Sequence, residues 1–354
     1  CGIQDVVMKR IQLWYYKRPP TDREQILFEG AEVVVVGYPA TLKPWVRALR
    51  NRGVKVLPYI SAYKAPNMSA VLETDDWQSG SPARGECAIN PFWQAVATDN
   101  HPEWIARDET GNARRPFESE DYAPGWNETS PLVPGYRQAC LRGIEQLLAD
   151  GYDGVFLDNV KTDNRPAHAG LGSGREVGQA MRSLVIEIGR AVKPCMFMKN
   201  GAPDEQLDTV VDAYTIESFM FSWAWDISAF SDEQWPARWA AIHRLAWRPG
   251  NGPQPVALGY LGFSGRSLRE DAYTLRACAW ILGMAVADMG TAHDPEMVAA
   301  FARRNRFQGG QSTALIYQAA AADGNWIDQF YRLDLGEPQG DAIEHDGCLL
   351  RRFD

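Results

Sequence analysis

Two hydrophobic textures alternate along this chain: short β-branched runs, and longer stretches in which apolar residues recur every three or four positions. The first texture predicts strands and the second amphipathic helices. Strands are expected at Ile11–Tyr16, Glu32–Gly37, Val54–Ser61, Gly154–Asp158, Cys195–Lys199, Asp212–Glu217, Val256–Leu261 and Ala285–Met289. The Val run inside the second suits a strand buried on both faces. Helices are expected from Thr21 to Glu29, Leu42 to Asn51, Pro134 to Asp150 and Arg175 to Lys193. Others follow in a short piece after Pro203, from Asp232 to Leu245, from a Ser267 cap to Ile281, and from an Asp294 cap to Arg304. Gly53, Gly151 and Pro194 stand where helices should stop. Eight strand–helix units in about 300 residues predict an α/β chain folded as a (β/α)8 TIM barrel, a fold of about 250 residues.

Two segments break the alternation. Residues 62–131, a long insertion after strand three, hold turn formers, charges and aromatics such as Asn90-Pro91-Phe92-Trp93 and His101-Pro102-Glu103-Trp104. An interruption of that length is usually functional, and short helices within a lid over the barrel mouth are expected. The catalytic barrel is therefore placed at 1–306. A small β-rich C-terminal appendage is placed at 307–354, with strands at Ser312–Gln318, Phe330–Leu333 and Cys348–Phe353. Its stop at Asp354 reads as an incomplete unit.

Barrel enzymes keep their chemistry at the carboxyl ends of the strands. The polar and aromatic residues at those positions are Trp14, Tyr15, Tyr16, Tyr59, Ser61, Asp158, Asn159, Lys199, Asn200, Glu217, Tyr260 and Asp288. Asp158 carries the strongest signal, an acid that terminates the apolar strand Gly-Val-Phe-Leu-Asp. The competing reading is a loop cap or an ion pair with Lys161. Glu217 repeats the pattern in Ala-Tyr-Thr-Ile-Glu, and its competing reading is an ion pair with Lys199. Together they form the candidate catalytic pair, since glycoside hydrolysis is done by two carboxyl groups, about 5–5.5 Å apart for retention and about 6.5–9.5 Å for inversion. Tyr59 and Asn159 are the expected hydrogen-bond donors to Asp158. Lys199 and Asn200 are expected on sugar hydroxyls, with Ser61 and Tyr260 beside them and Asp163 and Asp288 as weaker candidates. Trp14, Tyr16, Trp126 and Trp223 are the candidate stacking platforms for a sugar ring.

Composition narrows the partners. The net charge is −9 with no basic stripe, which argues against nucleic acid. No apolar run reaches the roughly 20 residues of a membrane span. The six cysteines lack a Cys-x-x-Cys spacing and the five His are dispersed, so no metal and no cofactor is expected. Cys140, Cys195 and Cys278 are expected as buried free thiols. The Cys1-Gly2 start fits a lipid-anchored, exported protein of the periplasm, cell surface or medium. Thirteen Trp fit either sugar stacking or core packing.

At its strand ends the chain resembles glycoside hydrolase family 114, the endo-α-1,4-galactosaminidase family, and related uncharacterised bacterial barrel hydrolases. The resemblance rests on Val-Leu-Pro-Tyr-Ile-Ser, Asp-Gly-Val-Phe-Leu-Asp-Asn-Val, Met-Lys-Asn-Gly and Ile-Glu-Ser-Phe, which occur in the family's order between Val54 and Phe219. After strand three the chain departs from the family, with Ala62-Tyr63-Lys64 following Ser61. The resemblance implies a retaining glycosidase acting on an α-linked poly- or oligosaccharide, with Asp158 as nucleophile and Glu217 as general acid/base. Two alternatives remain at this level. One is a non-catalytic carbohydrate-binding barrel. The other is a lyase or aldolase that uses Lys199 as a Schiff base.

Overall fold

Val33–Val36 is buried along its whole length, as a strand covered on both faces must be. It is β2 of a computed structural model that describes residues 10–14, 28, 30–37, 43–73, 90–114, 125–158, 160, 162, 166–217, 219, 240–242, 244–245, 252–258, 268–282, 284–288, 338–345 and 348–353. The other barrel strands are β1 (Arg10–Trp14), β3 (Lys55–Ser61), β6 (Gly154–Asp158), β7 (Met196–Asn200), β8 (Ala213–Glu217), β9 (Gln254–Leu258) and β10 (Ala285–Asp288). Between β3 and β6 lie the short strands β4 (Lys64–Pro66) and β5 (Trp126–Glu128). The described helices are α1 (Lys43–Asn51), α2 (Met68–Glu73), α3 (Pro91–Val96), α4 (Pro134–Ala149), α5 (Gly174–Val192) and α6 (Leu268–Ile281). The strands order as a closed barrel, β1-β10-β9-β8-β7-β6-β3-β2, which is the predicted (β/α)8 architecture.

The chain divides into two compact units. The first is made mainly of Val35–Asp212. In it β3 pairs in parallel with β6, and β6 with β7. Helix α5 begins with a capping box. The Ser173 hydroxyl accepts from the Glu176 amide, and the Glu176 carboxylate accepts from the Ser173 amide at 2.7 Å. Gly154 opens β6 at φ +150°, and a Cβ there would come 1.8 Å from the Met196 carbonyl oxygen. No side chain fits at that close approach of β6 to β7. The second unit holds Cys1–Trp14, Pro20–Val34 and Ala213–Asp354. In it β8 pairs with β9, β9 with β10 and β10 with β1, all in parallel.

One device recurs at the entry to both acid-bearing strands. The Asp153 amide donates to the Val56 carbonyl at 3.0 Å, and the Asp153 carboxylate accepts from the Val56 amide at 3.0 Å and from Arg50 Nε. The Asp212 amide donates to the Phe197 carbonyl at 2.8 Å, and its carboxylate accepts from the Phe197 amide at 2.7 Å and from Lys193 Nζ. In each case an aspartate five residues before the strand-end acid locks onto the second residue of a neighbouring strand. A cation from the end of the preceding helix supports it.

The insertion holds the short helices expected, α2 and α3, together with an unforeseen pair of strands. β4 and β5 form an antiparallel ribbon with Lys64 opposite Glu128. Phe92, Trp93, Val96, Trp104 and Trp126 are buried, which makes a small core. α3 lies so close to α4 that a Cβ on Gly143 would come 2.7 Å from Phe92 Cα. Turn formers dominate the segment's composition, but these few large aromatics supply the burial that orders it. The ribbon carries a buried polar network. Glu128 accepts from Arg114 Nε at 3.1 Å and lies 3.3 Å from His168 Nε2, whose Nδ1 is 2.9 Å from Ser130 Oγ. Lys64 is buried with Nζ 5.1 Å from the Trp126 ring centre.

Three further expectations change. After Pro203 the chain makes successive turns over 205–210 rather than a helix, since a stretch this short yields little propagation for its nucleation cost. β9 starts at Gln254, two residues early, and includes Pro255 opposite Tyr214. In the tail, β12 (Cys348–Phe353) is as expected, but it pairs with an unforeseen β11 (Pro338–His345). Apart from Phe28, the helices expected at 21–29 and 294–304 and the strands expected at 312–318 and 330–333 lie outside the described residues. Among the described residues no helix is long and apolar enough to cross a membrane.

Hydrogen bonds to a charged partner contribute about 1.5–3 kcal/mol each. The partly exposed Arg50 contact adds little to that. Asp153→Ala and Asp212→Ala should therefore each lower unfolding free energy by about 1.5–3 kcal/mol in urea denaturation. Arg50→Ala should cost less than about 1 kcal/mol.

Candidate active site

Asp158 ends β6 and is half-buried. Parallel register sets it opposite Ser61 of β3, and the pairing of Leu157 with Lys199 sets it level with Asn200 of β7. Both its oxygens are held. Tyr59 Oη donates to Oδ2 at 2.6 Å, and Asn200 Nδ2 donates to Oδ1 at 2.6 Å. Tyr59 stands two residues before Ser61, so it reaches Asp158 along the strand, its ring stacked on Phe156 with centroids 6.2 Å apart. A carboxylate gripped at both oxygens by neighbours on either flank has one orientation, the requirement for a reacting group.

Asn200 is buried, and its orientation is fixed by a second bond. Its Oδ1 accepts from the Gly201 amide at 3.0 Å, so its NH2 faces Asp158. Lys199 is also buried, and its Nζ donates to the carbonyl oxygens of Asn200 at 3.1 Å and Ala202 at 3.3 Å. Both residues were expected on sugar hydroxyls. The structure shows Asn200 on Asp158 and Lys199 on the backbone that follows β7. Ser61 is buried, with Oγ accepting from the Tyr63 amide at 3.4 Å.

The loops that follow β6 and β7 are tied together. Asp204 accepts from Arg182 Nε at 2.9 Å, Thr162 Oγ1 at 2.9 Å and the Gln206 amide at 3.0 Å. Arg182 also donates to the Thr162 carbonyl at 3.1 Å. Burial is the largest single influence on Asp204 and works to raise its pKa. The bonds from Arg182, the Gln206 amide and Thr162 together outweigh it and leave the carboxyl below its usual value. Farther along the same loop, His168 on Glu128 and Ser130, with the Ala169 amide on the Arg107 carbonyl at 3.0 Å, docks residues 166–172 on the inserted layer.

Glu217 ends β8, half-buried and opposite Leu258 of β9. The ladder continues past it through the Phe219 amide and the Leu258 carbonyl at 2.9 Å, and Phe219 is buried. Trp126 is not a stacking platform: it is 1% exposed and meets Trp93 edge-on at 5.0 Å, so its ring faces are used in packing. Trp14 and Asp288 close β1 and β10, and their side chains lie outside the described residues, as do Tyr16, Asn159, Lys161, Asp163, Trp223 and Tyr260. Cys140, Cys195 and Cys278 are free thiols, but only Cys140 is fully buried, Cys195 and Cys278 being partly exposed; burial pushes Cys140 up to about 12, which leaves it unreactive.

No family model matches this sequence. An uncharacterized protein of Thermotoga maritima is 22% identical over 229 residues, 59% of this chain, and the chain spans 60% of that relative's length. Among solved structures the chain is similar to the glycoside hydrolase domain of PelA from Pseudomonas aeruginosa, at 20% identity and a TM-score of 0.52, over 79% of this chain and 94% of that one. It is also similar to the α-galactosidase TtGalA of Thermus thermophilus, at 16% identity and 0.50, over 84% and 62%. A third is the trehalose-6-phosphate hydrolase TreA of Bacillus licheniformis, at 11% identity and 0.51, over 92% and 72%. At these identities the likeness establishes the barrel fold.

Because the folded-state pKa of Asp204 lies below its unfolded value of about 3.9, its contribution to stability is complete above that value. The contribution is lost as pH falls through the depressed folded value. Melting temperature followed from pH 6 to pH 2 should therefore fall less steeply below about pH 4 in Asp204→Asn than in the parent. Parallel curves would contradict the assignment.

Proposed function

We propose that this chain is a glycoside hydrolase that cleaves an α-linked poly- or oligosaccharide with retention, using Asp158 as nucleophile and Glu217 as general acid/base. The observation that carries the reading is the double grip on Asp158 at the carboxyl end of a barrel strand, the end at which such barrels do their chemistry. Glu217 occupies the equivalent terminal position of β8. The barrel is of the kind found in the PelA glycoside hydrolase domain and the Thermus α-galactosidase. The strand-end motifs resemble those of glycoside hydrolase family 114, whose substrates are α-linked.

In the reaction, protonated Glu217 gives its proton to the leaving glycosidic oxygen as the carbon–oxygen bond breaks. Ionised Asp158 attacks the anomeric carbon from the opposite face and forms a glycosyl ester. Glu217, now ionised, takes a proton from water, whose oxygen displaces Asp158 and releases the sugar. Tyr59 and Asn200 hold Asp158 in line throughout and absorb charge changes on its oxygens. Lys199 has no place in this chemistry. Its buried nitrogen donates to two main-chain carbonyl oxygens, contacts that a Schiff-base lysine would have to give up.

A panel of α-linked oligosaccharides, α-1,4-galactosaminides included, should contain a substrate. NMR of the first product should show the α anomer. Asp158→Asn and Glu217→Gln should each cut kcat by at least about 10³-fold with the melting temperature preserved. Near-parental hydrolysis by either variant removes the role given to that residue. Tyr59→Phe should lower kcat by about 10–100-fold, as loss of one oriented hydrogen bond to a reacting group does. Borohydride reduction in the presence of carbonyl sugars should leave the protein mass unchanged.

A further inference from the structure

We infer that Lys199 is a positioning residue: it clamps the turn after β7 and so sets the orientation of Asn200 on Asp158. The inference rests on the assignment of Asp158 as nucleophile and assigns Lys199 a part in holding it.

A lysine ammonium enters a protein interior only where acceptors replace its water, because an uncompensated charge there costs several kcal/mol. Lys199 is 2% exposed. Two of its acceptors are main-chain oxygens one and three residues ahead, Asn200 O and Ala202 O. Asn200 is the buried last residue of β7, and Ala202 lies two residues beyond it. Gripping both from one point folds residues 200–202 into a tight arc.

The arc has a backbone signature. Gly201 sits at φ +98°, a conformation that side-chain-bearing residues rarely adopt. A Cβ at Gly201 would lie 3.6 Å from Lys199 Nζ, an ordinary contact, so the demand for glycine at 201 comes from the backbone conformation and not from crowding. The Asn200 carbonyl and the Gly201 N–H share one peptide plane, so holding the carbonyl aims the N–H, which donates to Asn200 Oδ1 at 3.0 Å. That bond occupies the oxygen end of the Asn200 amide and leaves its NH2 to meet Asp158 Oδ1 at 2.6 Å. Each link requires the one before it. The ammonium sets the arc, the arc aims the Gly201 amide, the amide fixes the orientation of Asn200, and Asn200 holds one oxygen of Asp158.

The test uses two variants and two readouts. Lys199→Met removes the clamp, and Gly201→Ala keeps the lysine but opposes the arc. In the 15N-labelled parent, the Asn200 side-chain amide, identified by its loss in Asn200→Ser, should be protected from hydrogen exchange and should shift in Asp158→Ala. Both variants should lose about 10-fold or more of that protection while circular dichroism shows a folded chain. Retention of the parental protection in a folded Lys199→Met overturns the inference. Should that variant fail to fold, retention in Gly201→Ala overturns it equally.

On a substrate that the parent cleaves, both variants should lose about 10–100-fold in kcat with KM within about threefold, the pattern of a reacting group set slightly out of line. A rise in KM at constant kcat would place Lys199 on the substrate and also overturn the inference. If the parent cleaves nothing on the panel, the hydrolase reading fails, and the exchange measurement still decides the role of Lys199.

Discussion

The surroundings of Asp158 depend on the register of β6 between β3 and β7. Side chains on a strand alternate between faces, so a slip of one residue would turn Asp158 away from Tyr59 and Asn200 and carry its whole strand with it. The slip is opposed at both ends. At the entry, Asp153 exchanges two hydrogen bonds with Val56, and Gly154 admits no side chain against Met196. At the exit, Tyr59 and Asn200 close on the carboxylate. The apolar interior, Val155, Phe156 and Leu157, supplies stability without distinguishing one register from its neighbour two residues away. The polar groups at the ends make that distinction.

The same division of labour extends outward. The segment after Asp158 is anchored at Thr162 by Asp204 and Arg182, and at His168 by Glu128 and Ser130. Burying Glu128, His168 and Lys64 in the inserted layer is expensive in desolvation, and such groups are weak sources of net stability. What they supply is geometry: each bond has one satisfactory partner, and an apolar substitute would slide. The insertion therefore serves as a brace for the loop beside the candidate nucleophile, with its tryptophans as the packing that keeps the brace closed. The described tryptophans at 93, 104 and 126 are buried, which assigns that share of the chain's aromatic wealth to packing and not to an open sugar-binding face.

Much of this architecture was legible in the residues. Burial of a strand shows as a β-branched run, as at Val33–Val36, and burial of a helix face as a recurrence every three or four residues, as from Cys140 to Leu147. Both patterns are local and survive without knowledge of partners. They located the barrel strands to within a residue or two at most ends and put Asp158 and Glu217 at strand termini. The failures share one cause, which is that a local pattern was overruled by something distant or left unused. Pro255 argued against strand at a position where pairing with Tyr214 imposes it. The Asp346-Gly347 dipeptide between His345 and Cys348 is a hairpin signal that was there to be read and would have supplied β11. Trp126 looked available because nothing in its neighbourhood in sequence announces Trp93 as its cover.

By itself, then, the sequence determined the eightfold alternation, the barrel it closes into and the two acids that end strands, because each follows from periodicity within a few residues. Only the tertiary structure decided what those acids touch. The bond from Tyr59 to Asp158 joins residues 99 positions apart and the bond from Asn200 joins residues 42 apart. Whether Asn200 and Lys199 meet a ligand or hold their neighbours in the chain depends on which atoms come within about 3 Å after the strands align. Hydrogen bonds act over ångströms in space and carry no periodic trace along the chain, so their partners are fixed only when the barrel closes.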